Sequence, residues 1–513
     1  MRYRGGEWHT ATNNYRKSRP PVSKPWSHKL YDPKGETKMK IYDKLFIGGQ
    51  WKAPINQEVI EILSPHDQSV VGKAAQASPA DIDLAVAAAR KAFDNGPWPK
   101  MTPGERQDLV ARFNELHAAR ADEIAVLITS ENGTPSWFTN GLQHSLSEQT
   151  NAYLRAAKSY AWEETLNDGK GPIIRREAVG VVAAIIPWNA PHQSALAKMI
   201  PALLAGNTVI LKASPETSIN ALLLGEIFAE AGLPEGVVSI VPAGRETSEY
   251  LVSHPGVDKI AFTGSTGAGR RIASIAGEQL KRVSLELGGK SATIILDDAD
   301  LESAVQGLKY TSFVNNGESC VAHTRVLVSK KRYEEAVALI KTMTESLVVG
   351  NPEDPATFIG PMVREDQQKR VQSYIELGIK EGARLVTGGT EVPAGLEGGF
   401  YVKPTIFADV DNSMRIAQEE IFGPVLVVIP YEDEADAVRI ANDSPFGLGG
   451  GVWSGTKEHG LEIARQIRTG NFVVNGATVS YEGPFGGYKA SGIGREFGVV
   501  GLGAFVEHKS INI

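Results

Sequence analysis

The chain holds a single cysteine, Cys320. A lone thiol closes no internal disulfide, so it is either a small buried apolar residue or a nucleophile. It follows Asn315-Asn316-Gly317, a turn-like polar run, rather than sitting inside an apolar one. Thirty-four positions upstream stands Glu286, which opens Glu286-Leu287-Gly288-Gly289-Lys290. A glycine-flanked carboxylate is what thiol or thioester chemistry with a general base would require. Asn189 lies in Pro187-Trp188-Asn189-Ala190-Pro191. A side-chain amide aimed at a developing oxyanion lowers a barrier by roughly 3 kcal/mol; an Asn beside proline is equally a turn former. Gly264-Ser265-Thr266-Gly267-Ala268-Gly269 follows an expected strand and opens an expected helix. Glycine lets backbone N–H groups approach an anion, and a helix N-terminus favours negative charge. Thr266 at the second glycine position separates this turn from the usual G-x-G-x-x-G. The histidines form no H-E-x-x-H, and one cysteine builds no Cys-rich zinc site, so no metal is expected.

The elements that must carry these residues alternate. Residues 179–186 are a continuous apolar run and read as a buried strand. A helix over 192–204 follows, stopped by Gly206, then a strand over 208–211 and a helix to Gly232. Residues 237–241 and 259–262 are further strands. Strand and helix in turn predict a parallel sheet with helices on both faces. Such sheets bind ligands at the carboxyl ends of their strands. A second α/β region starts with a strand over 292–296 and continues with a helix over 332–344. Strands over 402–407, 425–429 and 470–475 and a helix over 435–442 complete it. Ahead of both regions, 45–49 reads as a hairpin edge leading to Trp51. Ser78-Pro79-Ala80-Asp81 carries the cap, proline and answering acid of a helix start. Residues 103–130 read as helical, 153–175 as a ribbon or arm outside the core, and the half-alternating 505–513 as an edge strand.

At 513 residues the chain exceeds one ordinary core, and two or three domains are expected. Its 42% apolar and 22% charged content is that of a globular protein. No run approaches about 18 consecutive apolar residues, so no membrane helix is expected. One cysteine argues against a disulfide-stapled secreted chain. The net charge of −7 is uneven: residues 1–40 hold ten Lys/Arg and three Asp/Glu, leaving the remainder at −14. An acidic body gives no nucleic-acid footprint. Residues 1–40 carry Pro20-Pro21, Trp8 and Trp26 with no apolar period and no signal-peptide core. They read as a disordered extension, with Met39 a candidate start.

Six motifs in order carry a resemblance: Pro187-Trp188-Asn189, Phe262-Thr263-Gly264-Ser265, the Glu286 and Cys320 stretches, Glu420-Ile421-Phe422-Gly423-Pro424, and Pro484-Phe485-Gly486-Gly487-Tyr488-Lys489. Together they resemble the aldehyde dehydrogenase superfamily over nearly the whole chain after Met39. The resemblance implies an α/β fold with a Rossmann-like cofactor-binding domain (41–155 and 176–288), an α/β catalytic domain (289–488) and a small β oligomerisation arm (156–175 and 489–513). It implies oxidation of an aldehyde to a carboxylic acid through a thiohemiacetal and a thioester on Cys320. Glu286 would activate water and Asn189 would hold the oxyanion. Ile186, Trp188, Lys212, Gly244, Gly264, Ser265, Gly269, Leu287, Glu420 and Phe422 would bind the dinucleotide. The family's ribose-binding glutamate three residues after the lysine is replaced by Pro215, with Glu216 next. A carboxylate there repels a 2′-phosphate and a proline does not, so NAD is expected and NADP left open. Ala190, where relatives often carry an aromatic residue, implies a roomier entrance. Glu318 stands at a position usually held by Gln and is expected to point away from the thiol. Lys198, Lys290 and Lys489 are assigned no catalytic role. A homodimer or homotetramer, a cytoplasmic location and no nucleic-acid or membrane partner complete the expectation. The alternatives are transfer of the acyl group to coenzyme A, which Glu286 counts against, and an inactive relative on the same fold.

Overall fold

The apolar run at 179–186 becomes the strand Val181–Ile185, with all five residues buried. In a computed structural model, which describes residues 39–513 and the short antiparallel pair Arg2–Arg4 and Glu7–His9, this strand lies at the centre of an eight-stranded sheet. The reading of residues 1–40 as a disordered extension otherwise lies outside the described residues. Thr208–Lys212 and Val238–Ile240 add parallel to one side of the central strand. Lys259–Thr263 and Arg282–Glu286 add parallel to the other. The strand order therefore reverses at Val181–Ile185, the kind of switch point where open α/β sheets bind ligands. The hairpin Leu45–Ile47 and Gln50–Lys52 closes one edge antiparallel. Ser78 caps the helix Pro79–Asn95 in a capping box with Asp81, and that helix packs in the sheet's core cluster through Ile82, Ala85, Val86 and Ala89.

A second sheet has seven strands, ordered Arg384–Thr387, Thr405–Ala408, Val425–Tyr431, Arg325–Ser329, Ala292–Ile295, Gly450–Trp453 and Val473–Val474. Only its first pair is antiparallel. A third, three-stranded ribbon pairs Glu163–Thr165 with Ile173–Ala178, and that strand with the C-terminal Val506–Ile511.

Several elements differ from expectation. The stretch 103–130 is two helices, Pro103–Ala119 and Ala121–Asn132, parted at Arg120. Arg120 leaves helical geometry at φ −107° and ψ 12°, and its guanidinium ties Glu123 at 2.7 Å and Glu226 at 2.8 Å. Residues 153–159 are not ribbon: the helix Ser136–Ser159 runs through them, and Tyr153 is 1% exposed. Its hydroxyl donates to the Ala197 carbonyl at 3.1 Å and accepts the Phe497 N–H at 2.8 Å. The expected strand 402–407 begins only at Thr405, because Pro404 has no N–H to give a ladder. Of 470–475 only Val473–Val474 pairs.

Candidate active site

The loops after the five parallel strands collect at one edge of the first sheet. Residues 186–189 follow Val181–Ile185, and Lys212 ends Thr208–Lys212. Gly244 follows Val238–Ile240, Gly264 and Ser265 follow Lys259–Thr263, and Glu286 ends Arg282–Glu286. The second sheet contributes the opposite ends of its strands. Residues 288–290 precede Ala292–Ile295, Cys320 precedes Arg325–Ser329, and Glu420 and Phe422 precede Val425–Tyr431. A cavity of about 510 Å³ lies between them. It brings together Cys320, Glu286 and Asn189, and with them Trp188, Gly264, Ser265, Leu287, Glu420 and Phe422.

The loop that presents Cys320 is built on consecutive left-handed residues. Asn315, Asn316 and Gly317 have φ of 53°, 60° and 74°. Asparagine visits this region more readily than other residues with a Cβ. The run is not the solvent-facing turn its polarity suggests: Asn315 is 3% and Asn316 0% exposed. Their amides replace the missing ladder. Asn315 donates to the carbonyls of Asn189 at 3.0 Å and Glu318 at 3.2 Å, and accepts the Thr134 hydroxyl at 2.7 Å. Asn316 donates to Gly133 O and Pro361 O at 3.1 and 3.0 Å and accepts Gly360 N–H at 2.6 Å. A Cβ on Gly317 would fall 2.3 Å from the Gly423 backbone, and one on Gly289 would fall 2.5 Å from the Cys320 carbonyl. The Glu286 stretch, the thiol loop and the Glu420 stretch are thus in backbone contact. Asn189 Nδ2 donates to Glu318 O at 2.9 Å, beside the thiol. The Glu318 carboxylate turns the other way and accepts Val363 N–H at 3.2 Å, as expected.

Electrostatics at the site disfavour anions. Burial, then the Glu420 and Glu286 carboxyls, push the half-buried Cys320 thiol up to about 12. Burial and the nearby Glu496 raise the Glu286 carboxyl well above the usual range, with Lys198 and Arg495 opposing. Three carboxylates line the cavity. Glu420 accepts Gly289 N–H at 3.0 Å, and Glu496 accepts the Lys198 ammonium at 2.7 Å. Neither Glu286 oxygen has a partner. Glu286 is therefore the carboxyl left to exchange a proton with whatever enters.

The residues present fit a dinucleotide. Ser265 caps the helix Thr266–Glu278 and accepts Ala268 N–H at 3.3 Å, so N–H groups of the first turn face the strand ends. Thr266 Oγ1 is buried without a partner, and the space at Gly244 and Gly267 is open where a Cβ would stand. Gly269 lets that helix settle on Leu287. Lys212 is 8% exposed, lowered to about 8 mainly by burial, and reaches only Ala243 O at 3.5 Å, leaving donors spare. Phe422, at φ 66°, meets Trp188 edge-on with ring centres 5.6 Å apart. Ile186 is a core residue, 2% exposed, whose N–H donates to Lys212 O at 3.2 Å; only its backbone is available to a ligand.

Some residues at the site were given no role from sequence. Lys198 is 1% exposed and bonds Thr263 and Glu496, two residues that line the cavity. A lysine inside the apolar 195–200 run was the available signal. Glu496, Tyr481, Phe485 and Phe497 also line the cavity and come from a segment with no period to read.

Comparison with known proteins agrees with this geometry. The profile described as "Aldehyde dehydrogenase family" matches residues 51–511. The chain is similar to the geranial dehydrogenase of Castellaniella defragrans, 43% identical over 473 residues, which are 92% of this chain and 98% of that protein. It is similar to the crystal structure of a Mycobacterium tuberculosis aldehyde dehydrogenase complexed with NAD+, with TM-score 0.90 and 48% identity over 93% of this chain and 99% of that one. It is similar also to a cysteine-to-alanine mutant of aldehyde dehydrogenase C from Pseudomonas syringae with NAD+ and octanal, with TM-score 0.88 and 40% identity over 95% and 98%.

Two outcomes follow from the loop and the thiol. Asn316→Ala strands three buried backbone groups in a left-handed turn and is expected to cost about 3–5 kcal/mol, read as a lowered urea midpoint at an unchanged slope. Alkylation of Cys320 by iodoacetamide should be slower at pH 8 than that of a free thiol and keep rising to pH 10 and beyond. A plateau near pH 8.5, the usual range for a free Cys, would contradict the raised value.

Proposed function

The chain belongs to the aldehyde dehydrogenase family and oxidises an aldehyde to a carboxylic acid with NAD; from that premise we propose which of its residues do so and which aldehydes they take. Cys320 Sγ attacks the carbonyl carbon as the thiol proton passes to water in the cavity. The oxyanion is met by the Asn189 amide and the Cys320 N–H, a pair of fixed donors of the kind that act mainly on the charge that develops. Lys212, the first turn of Thr266–Glu278, Glu420 and Phe422 would hold the dinucleotide. The chemistry supplied by bound NAD is acceptance of the hydride from the carbon on sulfur, which leaves a thioester on Cys320. Glu286 then takes a proton from water, the water adds to the thioester, and the thiol leaves as the carboxylate product forms. The observation that supports this is a thiol and an unpartnered carboxyl lining one cavity. Transfer to coenzyme A would leave that carboxyl without a task.

The cavity lining includes the apolar or aromatic side chains of Ala190, Val321, Val479, Tyr481, Phe485 and Phe497. This supports an apolar aldehyde of medium size, aliphatic or terpenoid, consistent with the geranial and octanal of the relatives. A homodimer or homotetramer is supported by Val506–Ile511, which pairs on one side with Ile173–Ala178 and on the other has no partner among the described residues. Among the described residues no helix is long and apolar enough to cross a membrane. A single cysteine suits the reducing cytoplasm.

Cys320→Ala is expected to abolish NADH formation. Glu286→Gln should give a first-turnover burst of NADH and then lose roughly 10²–10⁴-fold in steady turnover, the share a general base contributes. Because the Glu286 carboxyl is raised, its basic form fills at higher pH than an ordinary carboxylate's, so wild-type turnover should keep rising with pH beyond the ordinary carboxylate range and the variant's residual rate should lack that limb. Steady-state rates at wild-type level in either variant contradict the assignment.

A further inference from the structure

We propose that Tyr153 is a positioning residue for the hydrolytic step: its hydroxyl ties the backbone beside Lys198 to the backbone beside Glu496, keeps those two side chains on each other, and so leaves the Glu286 carboxyl free. The inference rests on the reading of Glu286 as the base that activates water.

Tyr153 lies on Ser136–Ser159 and is 1% exposed. Its hydroxyl has one proton to give and lone pairs to receive. The proton goes to Ala197 O at 3.1 Å, one residue before Lys198 on the helix Pro191–Leu204. A lone pair takes the N–H of Phe497 at 2.8 Å, one residue after Glu496. Between those anchors the Lys198 ammonium donates to Glu496 Oε1 at 2.7 Å, with the two side chains 1% and 11% exposed. One phenol thus sets the spacing of both backbones that carry the ion pair. Gly501 makes room for it, since a Cβ there would fall 3.2 Å from the hydroxyl.

The clamp works against strain. Phe497 sits at φ 63° and ψ 158°, a region open to glycine and costly for a side chain. Such a conformation persists only where its surroundings over-determine it. Here both ends of the peptide group between Glu496 and Phe497 are held. Its C=O accepts Phe485 N–H at 2.8 Å, and its N–H donates to Tyr153. The Glu496 N–H donates in turn to Phe485 O at 2.7 Å. The same segment lies against the base, for a Cβ at Gly486 would fall 2.6 Å from Glu286 Oε1. Without the hydroxyl, the Phe497 N–H is buried and unpaired, and only the bridge to Phe485 opposes release of the strain.

The charged groups facing Glu286 are Glu496, Lys198 and Arg495, with the Cys320 thiol also in range. A cation buried as deeply as Lys198 is costly without an anion. Once Glu496 moves off it, the carboxyl with two unpartnered oxygens is Glu286. A lysine drawn there would stabilise the carboxylate, lower its pKa and occupy an oxygen that water needs. Tyr153 itself is held above the usual phenol range, by burial first and then by Glu496, so it stays a donor throughout.

The test reads the Glu286 proton directly. The infrared carboxylic-acid band of the purified full chain, taken as the difference from its Glu286→Gln counterpart, is followed against pH with no aldehyde present. Tyr153→Phe should move that titration to lower pH by about one to three pH units, and the rising limb of turnover should move with it. Tyr333→Phe is the matched control. The Tyr333 hydroxyl donates to Val428 O at 3.0 Å and accepts the N–H of Asp409, itself at φ 55°, at 2.6 Å, and none of the three residues lines the cavity. That variant should lose comparable stability and leave the titration unmoved. Should Tyr153→Phe melt early, its NADH complex, which binding stabilises, carries the same measurement. A Glu286 titration that stays in place or moves up in Tyr153→Phe, or that moves equally in Tyr333→Phe, overturns the proposal. A titration that moves down while the turnover limb stays leaves the Tyr153 clamp standing and removes Glu286 as the base.

Discussion

Residues 286–291 must leave the carboxyl edge of one parallel sheet and enter the amino edge of another within a few positions, and the rest of the site depends on how tightly they do so. Glu286 is the last residue of Arg282–Glu286, and Ala292 the first of Ala292–Ile295. The two sheets are thus joined edge to edge by a segment too short to wander. Its glycines let the Cys320 backbone and the Glu420 carboxylate close on it, since a Cβ at Gly288 would fall 2.2 Å from Glu420 and one at Gly289 would fall 2.5 Å from Cys320 O. Ser491 fastens the crossing from outside. Its hydroxyl donates to Gly288 O at 2.7 Å, and its carbonyl accepts Leu287 N–H at 2.9 Å. A thiol and a carboxyl far apart in sequence reach one cavity because the connection leaves no other arrangement.

That arrangement buries many titratable groups, and their treatment is uneven. Arg325 is 2% exposed and fully engaged, by Lys290 O, Asn412 Oδ1, Ile440 O and Ala441 O at 2.9–3.0 Å. It anchors the amino edge of the second sheet as a satisfied donor set. Lys290 beside it has no partner for its amine and is lowered to about 7, chiefly by burial. Neutrality removes most of the cost of leaving it unpaired. Glu131 is 2% exposed and accepts the N–H groups of Ile219 and Asn220 at the start of Ser218–Ala231, at 2.7 and 3.1 Å, so its carboxylate serves as a cap from another helix. Glu286 stands apart from these, a carboxyl that lines the cavity with no protein partner for either oxygen.

The parallel sheet was legible because its strands are buried on both faces: 179–186 and 208–211 read as apolar runs whatever their neighbours. The helix at Ser78 was legible because its cap is local chemistry, and Gly206 and Gly232 announced helix ends in the same way. What sequence left unread is long-range. At the break the Arg120 guanidinium reaches Glu226, more than a hundred residues on, as well as the local Glu123. Asn315 and Asn316 read as a polar turn because polarity is the local cue, while their burial is matched by carbonyls supplied by Gly133, Asn189 and Pro361. The catalytic candidates came from motif spacing, and their convergence required the crossing between sheets. Tyr153 looked like arm because its neighbours are mixed, yet it packs inside a helix whose hydrogen bonds end on residues 197 and 497.

The raised thiol is the informative feature of the chemistry. A resting cysteine at about 12 is almost wholly protonated near neutrality, which spares the one sulfur from adventitious oxidation and alkylation. The carboxyls of Glu286 and Glu420 help to hold it so, because a second anion in a cavity of low polarisability is unfavourable. On the proposed mechanism the Asn189 amide and the backbone N–H of Cys320 would meet a third oxygen, one that becomes charged only after sulfur has bonded to carbon. The site opposes charge on sulfur, and under that proposal it would favour charge on the carbonyl oxygen, so stabilisation would be withheld from the ground state and given to the tetrahedral arrangement. A cavity that merely lowered the thiol's pKa would bind the starting thiolate as well as the product of attack, and would gain little rate from doing so.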